Sequence, residues 1–135
     1  MRSRDEIESR LRSLLTPHAD VVAAYLFGSV ARGTARPTSD VDVAVLLAAD
    51  PPHTLDGLQF GLEGELERAL GLPVQLVVLN RAPSDLVHRV LRDGVLLLDR
   101  DPGARIRFEV RARNLYFDLQ PVLRQYRRIT ADQAP

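Results

Sequence analysis

Two aspartates, Asp40 and Asp42, stand two positions apart, and ten residues separate the first from a Gly28-Ser29 pair. In an extended segment alternate side chains face the same way, so both carboxylates share one side while Val41, Val43 and Val45 turn toward a core. Like charges that close repel, and a proton or a cation must resolve the repulsion. A hard divalent cation is the better answer, because Mg²⁺ is commonly held by one or two carboxylates and completes its shell with water and substrate phosphates. The glycine pair supplies the other half: Gly28 lets the backbone come close, and amides at a following helix start attract phosphate. Together these residues describe a metal-nucleotide site. Asp-x-Asp alone would describe equally well a loop end followed by a solvated edge-strand residue.

The flanking sequence predicts the elements that would hold these groups. Val21 to Phe27 is an apolar, β-branched and aromatic run of strand length, which Gly28-Ser29 ends in a tight turn, and Val41 to Leu47 is a second such run. Asp5 to Leu15 places Ile7, Leu11, Leu14 and Leu15 on one helical face before Thr16-Pro17. After a turn at Asp50-Pro51-Pro52, a helix runs from Leu55 to Leu70 and stops at Gly71, and Leu72 to Leu79 reads as a third strand. Ser84 opens a short helix stopped by Gly94, ahead of a brief strand over Val95 to Leu98. The order is α-β-β-α-β-α-β, an α/β class. A long helix then spans Pro102 to about Ile129, kinked at Pro121, with eight arginines between Arg100 and Arg128 and four of the seven aromatic residues of the chain. That aromatic share exceeds what one side of a small sheet needs, so the helix either packs across the sheet or gives part of its apolar face to a partner. The expected organisation is a core over residues 1–99, a helical extension over 100–130 of the same domain, and a disordered tail over 131–135.

Composition narrows the chemistry further. At 135 residues the chain is one domain, with 18 basic and 18 acidic residues and no net basic field for nonspecific nucleic-acid binding. There is no cysteine, which excludes disulfides and thiolate chemistry and fits a cytoplasmic protein. Every basic residue is arginine, so a cationic phosphate partner must be arginine or metal, and Arg32 or Arg36 in the loop can steady developing charge. His18, His53 and His88 are scattered without transition-metal spacing.

The strand, the Gly28-Ser29 turn, Arg32-Gly33, a polar loop with Pro37 and then Ser39-Asp40-x-Asp42 opening a second strand resemble the signature of the polymerase-beta-like nucleotidyltransferase superfamily. By size and motif the chain is similar to the minimal nucleotidyltransferases (MNT) that act as antitoxins beside HEPN-domain ribonucleases, over residues 21–99. The resemblance implies a short mixed sheet flanked by helices. It implies that Gly28, Ser29 and Arg32 bind ATP, and that Asp40 and Asp42 bind Mg²⁺ and carry catalysis. It also implies transfer of AMP to a tyrosine hydroxyl of a HEPN toxin, within a hetero-oligomer. In one respect the chain departs from that pattern: the family's usual third carboxylate falls at Gln75, in Val74-Gln75-Leu76-Val77. A glutamine can offer a carbonyl oxygen to a metal but cannot take a proton. Three readings therefore stand: a protein adenylyltransferase, an antitoxin that acts by binding alone, and a small-molecule or RNA nucleotidyltransferase.

Overall fold

Val21–Phe27, an unbroken apolar run, forms strand β1 in the computed structural model, which describes residues 3–36, 39–49 and 55–133, and every residue of the strand is buried. A strand buried on both sides needs a layer above and a layer below. β1 lies inside a four-stranded sheet of order β3-β2-β1-β4, antiparallel to both neighbours, β2 (Val41–Leu47) and β4 (Val95–Asp99), while β3 (Val74–Val78) runs parallel to β2. The expected short mixed sheet flanked by helices is the fold observed.

One layer consists of α1 (Arg4–Leu15) and α3 (Leu55–Leu70). Ser3 caps α1 by accepting the Glu6 amide at 3.2 Å, and the four-residue spacing of Ile7, Leu11 and Leu15 turns one stripe inward. Leu62, Leu66 and Leu70 do the same on α3, and both stripes close over Val41, Val43, Val45, Val74, Leu76 and Val78 in one apolar cluster. A polar seam runs beside it. Gln59, Glu63 and Glu67 recur at the same spacing and reach the outer edge of β3: Gln59 donates to the Leu76 carbonyl at 2.7 Å, and Glu63 and Glu67 accept the Leu76 and Val74 amides at 2.9 and 3.0 Å.

The opposite layer is α4 (Ser84–Asp93) and α5 (Pro102–Gln133), linked to β3 by a short 3-10 turn over Leu79–Arg81. Ala104, Phe108 and Ala112 of α5 pack against a second cluster made by Val22, Tyr25, Phe27, Ala44, Leu46 and α4. Polar bonds fasten α5 as well. The Tyr25 hydroxyl donates to Glu109 Oε1 at 2.7 Å, the same oxygen receives Arg105 Nη1 at 3.1 Å, and Arg105 Nε pairs with Asp99 Oδ2 at 3.0 Å as an ion contact outside hydrogen-bond angles. Burial, together with the Glu109 acceptor, pushes the Tyr25 hydroxyl well above its ordinary range.

The bounds of β3 and α5 differ most from the sequence pattern. β3 is shorter than Leu72 to Leu79, because Pro73 has no N–H for the ladder and uses its carbonyl to receive the Val41 amide at 2.8 Å. α5 passes Pro121 without ending and continues through Gln133, beyond the expected boundaries at Ile129 and Ala131. The expected Asp50-Pro51-Pro52 turn and residues 134–135 of the expected tail lie outside the described residues. Among the described residues no helix is long and apolar enough to cross a membrane.

Candidate active site

The end of β1 and the start of β2 are neighbours by register: Phe27 pairs with Asp42, and Asp42 pairs on its other side with Gln75 of β3. Alternation puts Val41, Val43 and Val45 into the α1/α3 core, so Asp42 and Gln75 stand on the α4/α5 side of the sheet. Asp42 is half-buried, whereas Asp40, just before the strand, and Gln75 are exposed.

Gly28 is required here for a reason the sequence alone did not reveal. Its φ is +75°, which favours glycine, and a Cβ at this position would overlap Asp42 Oδ2. The residue thus makes room first for the carboxylate. α2 (Gly28–Arg32) follows with no side-chain cap on its first turn, leaving those amides open to an anion, and Gly33 closes it in the left-handed region with φ +75°. Ser29 gives its carbonyl to the Thr34 amide at 2.9 Å. Farther along, the Arg36 amide donates to Ser39 Oγ at 2.8 Å and the Ser39 amide to the Arg36 carbonyl at 2.9 Å, which sets the chain entering Asp40.

Burial and then the neighbouring Asp40 push the Asp42 carboxyl above its ordinary range, with Arg32 pulling partly back. A carboxylate in that condition gains from a cation. The two carboxylates suit an ion that takes its other ligands from phosphate and water, as Mg²⁺ does. Among the described residues no group of three His, Cys, Asp or Glu side chains comes together for a metal, and Gln75 occupies the register position that would supply a third.

α4 contributes groups that sequence reasoning missed. Leu26 pairs with Val95, so the C-terminal end of α4 is carried to the end of β1. There Arg92 binds Asp93 at 3.0 and 2.9 Å and holds its carboxyl below the ordinary range against desolvation, with Arg32 and His88 adding to the effect. His88 is not an isolated histidine: its ring stacks on Tyr116 of α5 with centroids 3.7 Å apart and planes within 3°. The one clue in the sequence was Arg92-Asp93 at the end of an amphipathic helix, directly before Gly94.

Residues 9–103 match the family described as Polymerase beta, Nucleotidyltransferase. The curated protein adenylyltransferase MntA of Shewanella oneidensis is 38% identical over 97 residues, 71% of this chain and 66% of that protein, so the chain spans just under two thirds of that relative. A crystal structure of a toxin-antitoxin with AMP-PNP superposes with a TM-score of 0.77 at 29% identity, covering 93% of this chain and 96% of that one. A tri-AMPylated Shewanella oneidensis HEPN toxin in complex with MNT antitoxin gives 0.73 at 26% identity, covering 96% and 97%.

Proposed function

The chain belongs to the polymerase beta nucleotidyltransferase family, and from that premise we propose that it is an antitoxin-type protein adenylyltransferase, moving AMP from ATP to a tyrosine hydroxyl of a HEPN ribonuclease toxin in the cytoplasm. The observation that carries this reading is the half-buried Asp42, pressed against Gly28 and set between Phe27 and Gln75 at the end of the sheet.

Asp40 and Asp42 are the residues that would hold Mg²⁺, which when bound neutralises triphosphate charge and orients the α-phosphate. The chain's own groups do the rest. The open amides of Gly28 and Ser29 receive phosphate oxygens, and Arg32 adds positive charge beside Asp42. The acceptor oxygen forms a bond to the α-phosphorus as the bond from that phosphorus to the bridging oxygen breaks, releasing pyrophosphate. Gln75 cannot accept the hydroxyl proton, which leaves to water or to a group of the acceptor protein. Partner contact falls to an exposed stripe of α5: Ile106, Val110 and Phe117 lie along one line of the helix at 49, 48 and 66% exposure. The likeness to chains from toxin-antitoxin complexes supports this assignment.

The test is incubation with ATP, Mg²⁺ and the protein encoded in the adjacent reading frame, followed by mass spectrometry. An AMP mass gain on a tyrosine of the partner, reduced about 10²- to 10³-fold by Asp42→Ala, is expected. Equal transfer by Asp40→Asn and Asp42→Asn variants would move the active site elsewhere. Gln75 favours a second reading, neutralisation by binding alone, which requires a stable complex and protection from the toxin with no AMP gain in the wild type.

A further inference from the structure

A cavity of about 550 Å³ lies at the far end of the sheet from the aspartates, between the 3-10 turn with α4 on one side and α5 on the other. Leu47, which lines it, is five positions along β2 from Asp42, roughly 16 Å at about 3.3 Å per residue. Its volume falls within the range of small-molecule pockets.

The lining is amphipathic in an ordered way. Leu46, Leu79 and Val87 form an apolar floor, and Phe108 with Leu115 forms a wall. Leu115 is 52% exposed although it faces this cavity, so the wall lacks a covering side chain among the described residues. Arg107 and Arg111 stand on the margin one helical turn apart, and neither makes a hydrogen bond or ion pair among the described residues. The carboxylate beside them, Asp101, is engaged in capping α5 through the Ala104 amide at 3.1 Å. Ser84, first residue of α4, also lines the space, and no side chain caps that helix's first turn. An apolar slot with an aromatic wall and two free guanidiniums at its mouth matches a ligand with a flat apolar body and an anionic end.

We propose that this cavity is a second ligand site, separate from Asp40 and Asp42, that binds a nucleoside phosphate with its base against Phe108 and its phosphate on Arg107 and Arg111. Its volume suits one molecule of that size, while a fatty chain would leave the aromatic wall unused. The proposal does not depend on the aspartates being catalytic.

The experiment uses the full chain carrying Asp40→Ala and Asp42→Ala, in EDTA, so that metal-dependent binding at the sheet's other end is removed. Titrating AMP by calorimetry is expected to show one saturable site. Adding Arg107→Gln and Arg111→Gln, surface changes that leave the core intact, is expected to weaken it by at least about tenfold. Pyrophosphate, which lacks the apolar body, is expected to bind more weakly than AMP. The proposal is overturned by absence of AMP binding at millimolar concentration, by unchanged affinity in the arginine variant, by pyrophosphate binding as tightly as AMP, or by decanoate displacing AMP at lower concentration than AMP itself requires.

Discussion

The two faces of the sheet are built from the same strands and differ in kind. Under α1 and α3 the strands present only apolar side chains, and the helices answer with Ile7, Leu11, Leu62 and Leu66. Under α4 and α5 the same strands present Tyr25, Asp42 and Gln75, and the helices answer with Glu109, Arg105, His88 and Arg92. Alternation along a strand is what permits this, since consecutive residues belong to different environments. Both faces bury apolar side chains, and the α4/α5 face also holds charge, open amides and space.

Substitutions can break that division or sharpen it. The largest effect on stability is expected from Leu66→Ala, a fully buried residue of α3, at about 2–5 kcal/mol in urea unfolding. Its Mg²⁺-ATP binding below the unfolding transition should match wild type, and a loss of binding in the folded variant would show that the faces are coupled. Tyr25→Phe is next, because it leaves Glu109 Oε1 without its hydroxyl donor, and about 1–3 kcal/mol is expected from the same measurement. An unchanged midpoint would mean the network on that face contributes no net stability.

Asp42→Asn should act with the opposite sign. The folded state raises this carboxyl above 3.8, its unfolded value, so it holds a proton more tightly than the unfolded chain does. Stability contributed by that protonated form is present below 3.8 and is lost as pH rises through the raised value. Metal-free thermal melts across pH 3 to 8 should therefore show wild type losing stability relative to the asparagine variant through that window. At neutral pH the variant should be the more stable, by less than about 1 kcal/mol after screening at this half-exposed site, while losing AMP transfer. A variant less stable than wild type at neutral pH would contradict the assigned cause. The smallest expected effect on folding is that of Gln75→Asp, at an exposed position, within about 0.5 kcal/mol. In a working transferase it should raise the rate of AMP addition severalfold at saturating Mg²⁺, and a rate unchanged from wild type would remove Gln75 as the limiting residue.

Much of this arrangement was legible in the chain, for a physical reason. Helical spacing in Ile7, Leu11 and Leu15, and alternation in Val41 to Val45, are local signals, and so the elements could be read directly. Contacts created by strand pairing could not. The packing of Gly28 on Asp42 depends on β1 lying beside β2, and the sequence suggested only that Gly28 makes room for phosphate. The arrival of Asp93 near Arg32 depends on β4 pairing with β1. The aromatic excess of α5 was visible, but its division among the described side chains was not: Phe108 packs on the sheet, Tyr116 stacks on His88, and Phe117 faces outward with Ile106 and Val110.

The seam of Gln59, Glu63 and Glu67 along β3 has a consequence for how this protein meets others. A sheet edge with free amides is a template on which a foreign strand, or a second copy of the chain, can zip. Here the outward amides of Val74 and Leu76 and the Leu76 carbonyl are already taken by helix side chains. Recruitment by strand addition at that edge would first have to strip two glutamates from the backbone. At that edge, association is thereby left to side chains.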